Sequence, residues 1–205
     1  NIAATKGGGV QVGGNGATVD VMGGIFEENS VSTSGTNYGG GAINLGGGVS
    51  TKLTIQGAKF VGNTSKLNGG AIHIEVAVSS LSITGGTFSA NQADSHGGAI
   101  HFVKATTATI TDSTFSNNIA KGNGGAINIG VESAKLTLKN TNFTGNQSTG
   151  EVPGTGYGGA INIGSTPTVI MNSGTMNGNQ ALLGGAVNVS GGSTFTFNGG
   201  VIRDN

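Results

Sequence analysis

The stretch FSNNIAKGNGGAINI, residues 115–129, holds two short motifs, and both recur along the whole chain. The second half returns as GGAINL at 40–45, GGAIHI at 69–74, GGAIHF at 97–102, GGAINI at 158–163 and GGAVNV at 184–189, with a weaker GGGVQV at 7–12. The first half returns as FEEN, FVGN, FSAN, FTGN, MNGN and IRDN, which close on Asn29, Asn63, Asn91, Asn146, Asn179 and Asn205; Asn118 closes the quoted copy. Between the two lies a third element, an alternating apolar triplet: Val19/Val21, Leu53/Ile55, Leu81/Ile83, Ala108/Ile110, Leu136/Leu138, Val169/Met171 and Phe195/Phe197. A fixed set of motifs at a spacing near 27 residues is the mark of a repeat array. The boundaries read as 1–29, 30–63, 64–91, 92–118, 119–146, 147–179 and 180–205, seven repeats in one segment.

Each repeat has three short segments of period two, separated by Gly, Ser, Asn and Thr, which is a strand pattern and not a helical one. One such strand buries too little to stand alone. If repeats stack, each strand pairs with its copy in the next repeat at about 4.8 Å, and apolar columns close around a common core. The prediction is an all-β protein, a right-handed three-faced parallel β-helix of seven rungs. A seven-bladed propeller is the rival, but blades need about 40 residues and four strands each.

Stacking assigns the columns. Ile43/Leu45, Ile72/Ile74, Ile100/Phe102, Ile127/Ile129, Ile161/Ile163 and Val187/Val189 are expected inward. Gln11, Asn44, His73, His101, Asn128, Asn162 and Asn188 are expected outward and solvated. Phe26, Phe60, Phe88, Phe115 and Phe143, continued by Met176 and Ile202, form an inward ladder. Asn29, Asn63, Asn91, Asn118, Asn146 and Asn179 are placed in a turn, bonding its backbone and one another. The paired glycines supply a positive φ before the strand.

Composition restricts the partners. With 42 glycines, two prolines, 9% charged residues and zero net charge in 205 residues, the chain is neither collagen-like nor an acidic or basic tail. It lacks the positive footprint of a nucleic-acid or anionic-membrane binder. No run of 18 apolar residues is present, so no membrane insertion by this segment is expected. With no cysteine, disulfide and thiolate sites are excluded. Because Asn1 and Asn205 occupy the same repeat position and no cap is evident, the piece is expected to belong to a longer array, continued covalently or by end-to-end stacking of copies.

Three site readings compete. His73 and His101 lie on adjacent rungs, about 5 Å apart, but a metal site needs three or four ligands, and only Glu75 and His96 are near in sequence; no metal and no cofactor are assigned. Polysaccharide chemistry needs clustered carboxylates, whereas only Glu27 and Glu28 among the nine acids are neighbours; no catalytic residue is assigned, and a β-helix lyase or hydrolase stays an alternative. An ice- or surface-binding face is the other alternative, but only Thr107, Thr109 and Thr111 form a clean threonine row. Two repeats carry an insertion of about six residues at the same corner, each with a tyrosine, Tyr38 or Tyr157, before the glycines. Insertions on repeat scaffolds are where binding concentrates, so these two are the candidate contact residues for a host glycan or surface protein.

Six GGA(I/V) and five FxxN motifs over the whole chain resemble the repeat pair of the chlamydial polymorphic outer-membrane proteins. The resemblance implies an autotransporter passenger with a pectate-lyase-like β-helix, displayed extracellularly at the cell surface and used in adhesion, and it brings no catalytic residue.

Overall fold

The computed structural model describes the chain apart from residues 34, 36–37, 47–49 and 76–79. Every named strand pairs in parallel with its copy one rung away, and the copies stack into four sheets. Val10–Val12, Ile43–Leu45, Ile72–Ile74, Ile100–Phe102, Ile127–Ile129, Ile161–Ile163 and Val187–Val189 form the GGA sheet. The triplet segments, Thr18–Met22 to Thr194–Phe197, form a second seven-stranded sheet. The phenylalanine strands, Ile25–Glu27 to Val201–Arg203, form a third. The molecule is therefore a parallel β-helix of seven rungs.

A fourth sheet adds a face to the three that periodicity predicts. It consists of six two-residue strands directly after the turn asparagine: Ile2–Ala3, Ser30–Val31, Thr64–Ser65, Gln92–Ala93, Ile119–Ala120 and Gln147–Ser148. Two residues are too short to display an alternation. Their pairing is supplied by the neighbouring rungs, and from Val31 to Ser148 their second residue is buried.

The register is in phase across rungs. Phe60, Phe88 and Phe115 pair directly, and the rings from Phe26 to Phe143 lie face to face with centroids 4.7–4.9 Å apart. That spacing is the strand separation itself, so the stack adds ring contact without bending the backbone. Phe60, Phe88, Phe115, Phe143 and Met176 are fully buried, whereas Phe26 is half-buried and Ile202 is exposed in the last rung.

The two glycines of GGA serve different ends. The first is left-handed in every full copy, with φ of 61–71° from Gly40 to Gly184, a region open to glycine without a Cβ penalty. The second lies against the next rung: a Cβ on Gly98 would sit 2.1 Å from the Gly125 carbonyl oxygen, and one on Gly125 equally close to Gly159. A left-handed turn also precedes each ladder asparagine, at Glu28, Gly62, Ala90, Asn117, Gly145, Gly178 and Asp204, with φ of 49–64°. Gly, Asn and Asp fill five of these seven positions, the types that tolerate this region.

Candidate functional site

The surface on the GGA sheet is built from its three-residue strands. Alternation points the first and third side chains into the core and the middle one away from it. The middle column, Gln11–Asn44–His73–His101–Asn128–Asn162–Asn188, is in register throughout. It is not the solvated column that alternation predicts. Asn44 and His73 have no exposed surface, and His101, Asn128 and Asn162 are buried as well. The strands are so short that the corners before them wall the column in, and copies about 4.8 Å apart cover each other along it.

The wall is a corner column, Lys6–Gly39–Asn68–His96–Asn123–Tyr157–Leu183, joined by rung-to-rung bonds such as Gly69 N–H to His96 O and Gly124 N–H to Tyr157 O. Tyr157 belongs to it, and Tyr38 does not. The second repeat has three glycines after its tyrosine, so Gly39 takes the corner and Tyr38 falls one residue earlier, with its ring over Gly35. A side chain at position 39 would meet His73: a Cβ there would lie 2.9 Å from its Cγ. The two tyrosines that look equivalent in sequence therefore occupy different places. Residues 34, 36 and 37 of the first insertion lie outside the described residues.

Tyr157, His96, His101, Asn123, Asn128 and Asn162 line a groove of about 380 Å³ on the C-terminal half of this face. Its floor is a chain of amides, each donating toward the N-terminal side: Asn188 Nδ2 to Asn162 Oδ1 (2.8 Å), Asn162 to Asn128 (2.8 Å), and Asn128 Nδ2 to His101 Nδ1 (3.0 Å). The Asn123 backbone N–H donates to His96 Nδ1 at 3.0 Å. A neutral ring that accepts at Nδ1 carries its proton on Nε2, so both histidines of the groove hold N–H donors.

All three histidines of the chain are gathered here. His73 and His101 stack at 5.3 Å, and His96 and His101 at 5.9 Å. Burial and then Lys6 push His73 down to about 3. His101 is held well below the usual imidazole value by burial and by the other two rings, and His96 is lowered by burial. Each is a neutral imidazole at pH 7. Lys6 reaches Glu75 Oε2 at 2.7 Å from 69 residues away in sequence. The repeat alignment places Lys6 in the corner column, but its partner two rungs on carries no sequence signal.

The carboxylates do not assemble a catalytic cluster among the described residues. Glu75 pairs with Lys6, and Asp94 pairs with Lys66 (3.2 Å) and Lys121 (3.1 Å). Glu27 and Glu28 are both exposed, and Glu28 occupies a left-handed turn. Among the described residues no three His, Asp or Glu side chains converge on one point, and no helix is long and apolar enough to cross a membrane.

Architecture and motifs together define a β-helix repeat protein. The Chlamydia polymorphic membrane protein repeat matches it three times, at 58–75, 85–103 and 112–130. Each match runs from a phenylalanine strand through the ladder asparagine to the GGA strand, and together they carry His73, Glu75, His96 and His101. This repeat is one of outer-membrane, surface-type proteins. No curated protein and no solved structure matches the chain.

Proposed function

We propose that the chain is a structural and adhesive segment of a bacterial cell-surface fibre. Its rigid rungs display the groove beside Tyr157 to a host glycan or surface protein, and it carries out no chemistry of its own. The observation that carries this reading is the surface-type repeat on three consecutive rungs, the second and third of which supply His96, His101, Asn123 and Asn128 to the groove. Tyr157 offers a half-exposed ring with a polar tip, beside imidazole N–H donors, a combination suited to amphipathic contact. The lysine partners of Glu75 and Asp94 leave these acids unsuited to acid–base work on a polysaccharide.

Apolar side chains are exposed on the outer rungs, Ile2, Met22 and Ile25 on one and Phe197, Val201 and Ile202 on the other. The proposal has further rungs of the same kind covering them, in a longer chain or in another copy. Light scattering of the purified segment tests the second form: linear head-to-tail oligomers are expected, and a strict monomer at high concentration excludes self-stacking.

Adhesion is tested by coating the segment on a surface and measuring host-cell and glycan binding. Tyr157→Ala should reduce attachment severalfold, and Tyr38→Ala should leave it unchanged. Attachment no better than that of an unrelated β-helix, or depolymerisation of a polysaccharide that fails when Glu27, Glu28 or Glu75 is replaced, overturns the reading.

A further inference from the structure

The groove beside Tyr157 holds more donors than acceptors. Asn123 Oδ1 takes the Gly156 and Tyr157 N–H groups at 3.0 and 3.2 Å, which fills both of its lone pairs. The Nδ1 atoms of His96 and His101 are filled by the Asn123 N–H and by Asn128 Nδ2. The backbone carbonyls of His96, Asn123 and Tyr157 each accept from the preceding rung, and Asn128 Oδ1 and Asn162 Oδ1 accept from the next. The N–H groups are not used up in this way. His96 Nε2, His101 Nε2 and Asn123 Nδ2 make no bond among the described residues, and none of the three is sealed from solvent. No Asp or Glu lines the groove.

We infer that the groove takes the carboxylate of an acidic sugar, a sialic or a uronic acid, on these N–H groups. The inference rests on the adhesive reading above and narrows its ligand. A sugar hydroxyl has to donate as well as accept, whereas a carboxylate only accepts, on two oxygens with about four lone-pair sites. An N–H bond to a carboxylate is also shorter and about twice as strong as one between neutral groups. The surroundings admit the charge, because Lys6 holds Glu75, and Lys66 and Lys121 hold Asp94. At about 380 Å³ the groove lies at the small end of ligand sites, a size that suits a single sugar.

The rest of the lining favours a sugar over an acidic peptide. Tyr157 stands with Val103 and Val131 around the same space, and an aromatic ring with a polar tip can pack on the C–H face of a pyranose while its hydroxyl bonds a sugar oxygen. A peptide laid along a sheet draws its affinity from free strand N–H and C=O groups. Those of the corner column are already paired from rung to rung, as in Gly97 N–H to Asn123 O at 2.9 Å and Gly124 N–H to Tyr157 O at 2.8 Å.

NMR titration of the segment with the methyl glycosides of N-acetylneuraminic acid and glucuronic acid tests the inference, since three histidines give ring signals that are readily told apart. At least one acid should shift the His96 and His101 rings saturably and leave His73 still. Its methyl ester should bind about tenfold more weakly, the loss of one charge-assisted hydrogen bond. His96→Asn and His101→Asn install the residue of the next rung, Asn123 or Asn128, and Asn68 Oδ1 already accepts the His96 N–H as an asparagine at 96 would accept that of Asn123. Each should weaken binding severalfold without lowering the melting temperature, and His73→Asn should leave it within about twofold. No saturable shift at high millimolar sugar, equal binding of acid and ester, or tighter binding of an aspartate-rich peptide overturns the inference. Host-cell attachment that needs Tyr157 but is indifferent to free acidic sugar counts against the inference alone. Acidic-sugar binding by a segment that attaches to no cell upholds it and counts against the adhesive reading.

Discussion

Two amide columns run the length of this molecule. In the turn column, Asn29, Asn63, Asn91, Asn118, Asn146 and Asn179 each donate both the backbone N–H and Nδ2 to the side-chain oxygen of the next asparagine, at 2.7–3.1 Å. From Asn63 to Asn205, Nδ2 also bonds the carbonyl of the residue in the phenylalanine column one rung earlier, at 2.9–3.1 Å. Asparagine suits this place because one side chain supplies an acceptor with two lone pairs and two donors, all of which are used. In the GGA column the amides use one bond per rung, and two imidazoles interrupt them. A buried column with no spare valence cannot be altered without orphaning its neighbours. The GGA column already contains orphaned atoms, on Asn44 and His73.

The contrast is broken most severely in the turn column. Asn118→Ala strips the acceptor from Asn91 N–H and Nδ2 and the donor from the Phe88 carbonyl, three buried groups at once. A loss of about 4 kcal/mol is expected in denaturant unfolding. Phe115→Ala removes the central ring beside it and should cost about 3–5 kcal/mol. A loss under about 1 kcal/mol for Asn118→Ala would show that the column is not cooperative.

Acidification attacks the other column. His73, lowered to about 3 in the fold, binds its proton near 6.5 when unfolded. Between those values the unfolded chain holds more protons than the native one, so stability falls as pH drops below about 6.5. From neutral pH to pH 4.5 this group alone should remove roughly 3 kcal/mol, at about 1.4 kcal/mol per unit. His96 and His101 act in the same direction. His73→Asn should flatten the slope of unfolding free energy against pH, and an unchanged slope would mean that His73 is solvated.

Smaller effects sharpen the comparison. At pH 7, His73→Asn supplies the missing donor to Asn44 Oδ1 and should stabilise by about 1–2 kcal/mol. His101 already accepts from Asn128, so His101→Asn exchanges one bonded group for another and should change stability by less than about 0.5 kcal/mol. Equal effects from the two substitutions would remove the distinction between an orphaned ring and a bonded one.

The sequence by itself determined the strand class, the repeat phase, the apolar columns and the phenylalanine and asparagine ladders. Stacking copies every local choice seven times in register, so a weak period-two signal in Leu81-Ser82-Ile83 is repeated until it is unambiguous. Only the tertiary structure decided what is wet. Alternation shows that His73 points away from the core, but its burial is set by Gly39 from the preceding rung and by the His101 ring stacked on it from the next. Only the tertiary structure separated Tyr38 from Tyr157, since one extra glycine moves a ring out of its column while the local pattern looks the same. The fourth sheet, too short to show a period, and the Lys6–Glu75 pair, 69 residues apart, were likewise settled in space. Solvent exclusion and charge pairing depend on which chains of atoms meet, and a periodic sequence records only the side of the strand from which each one starts.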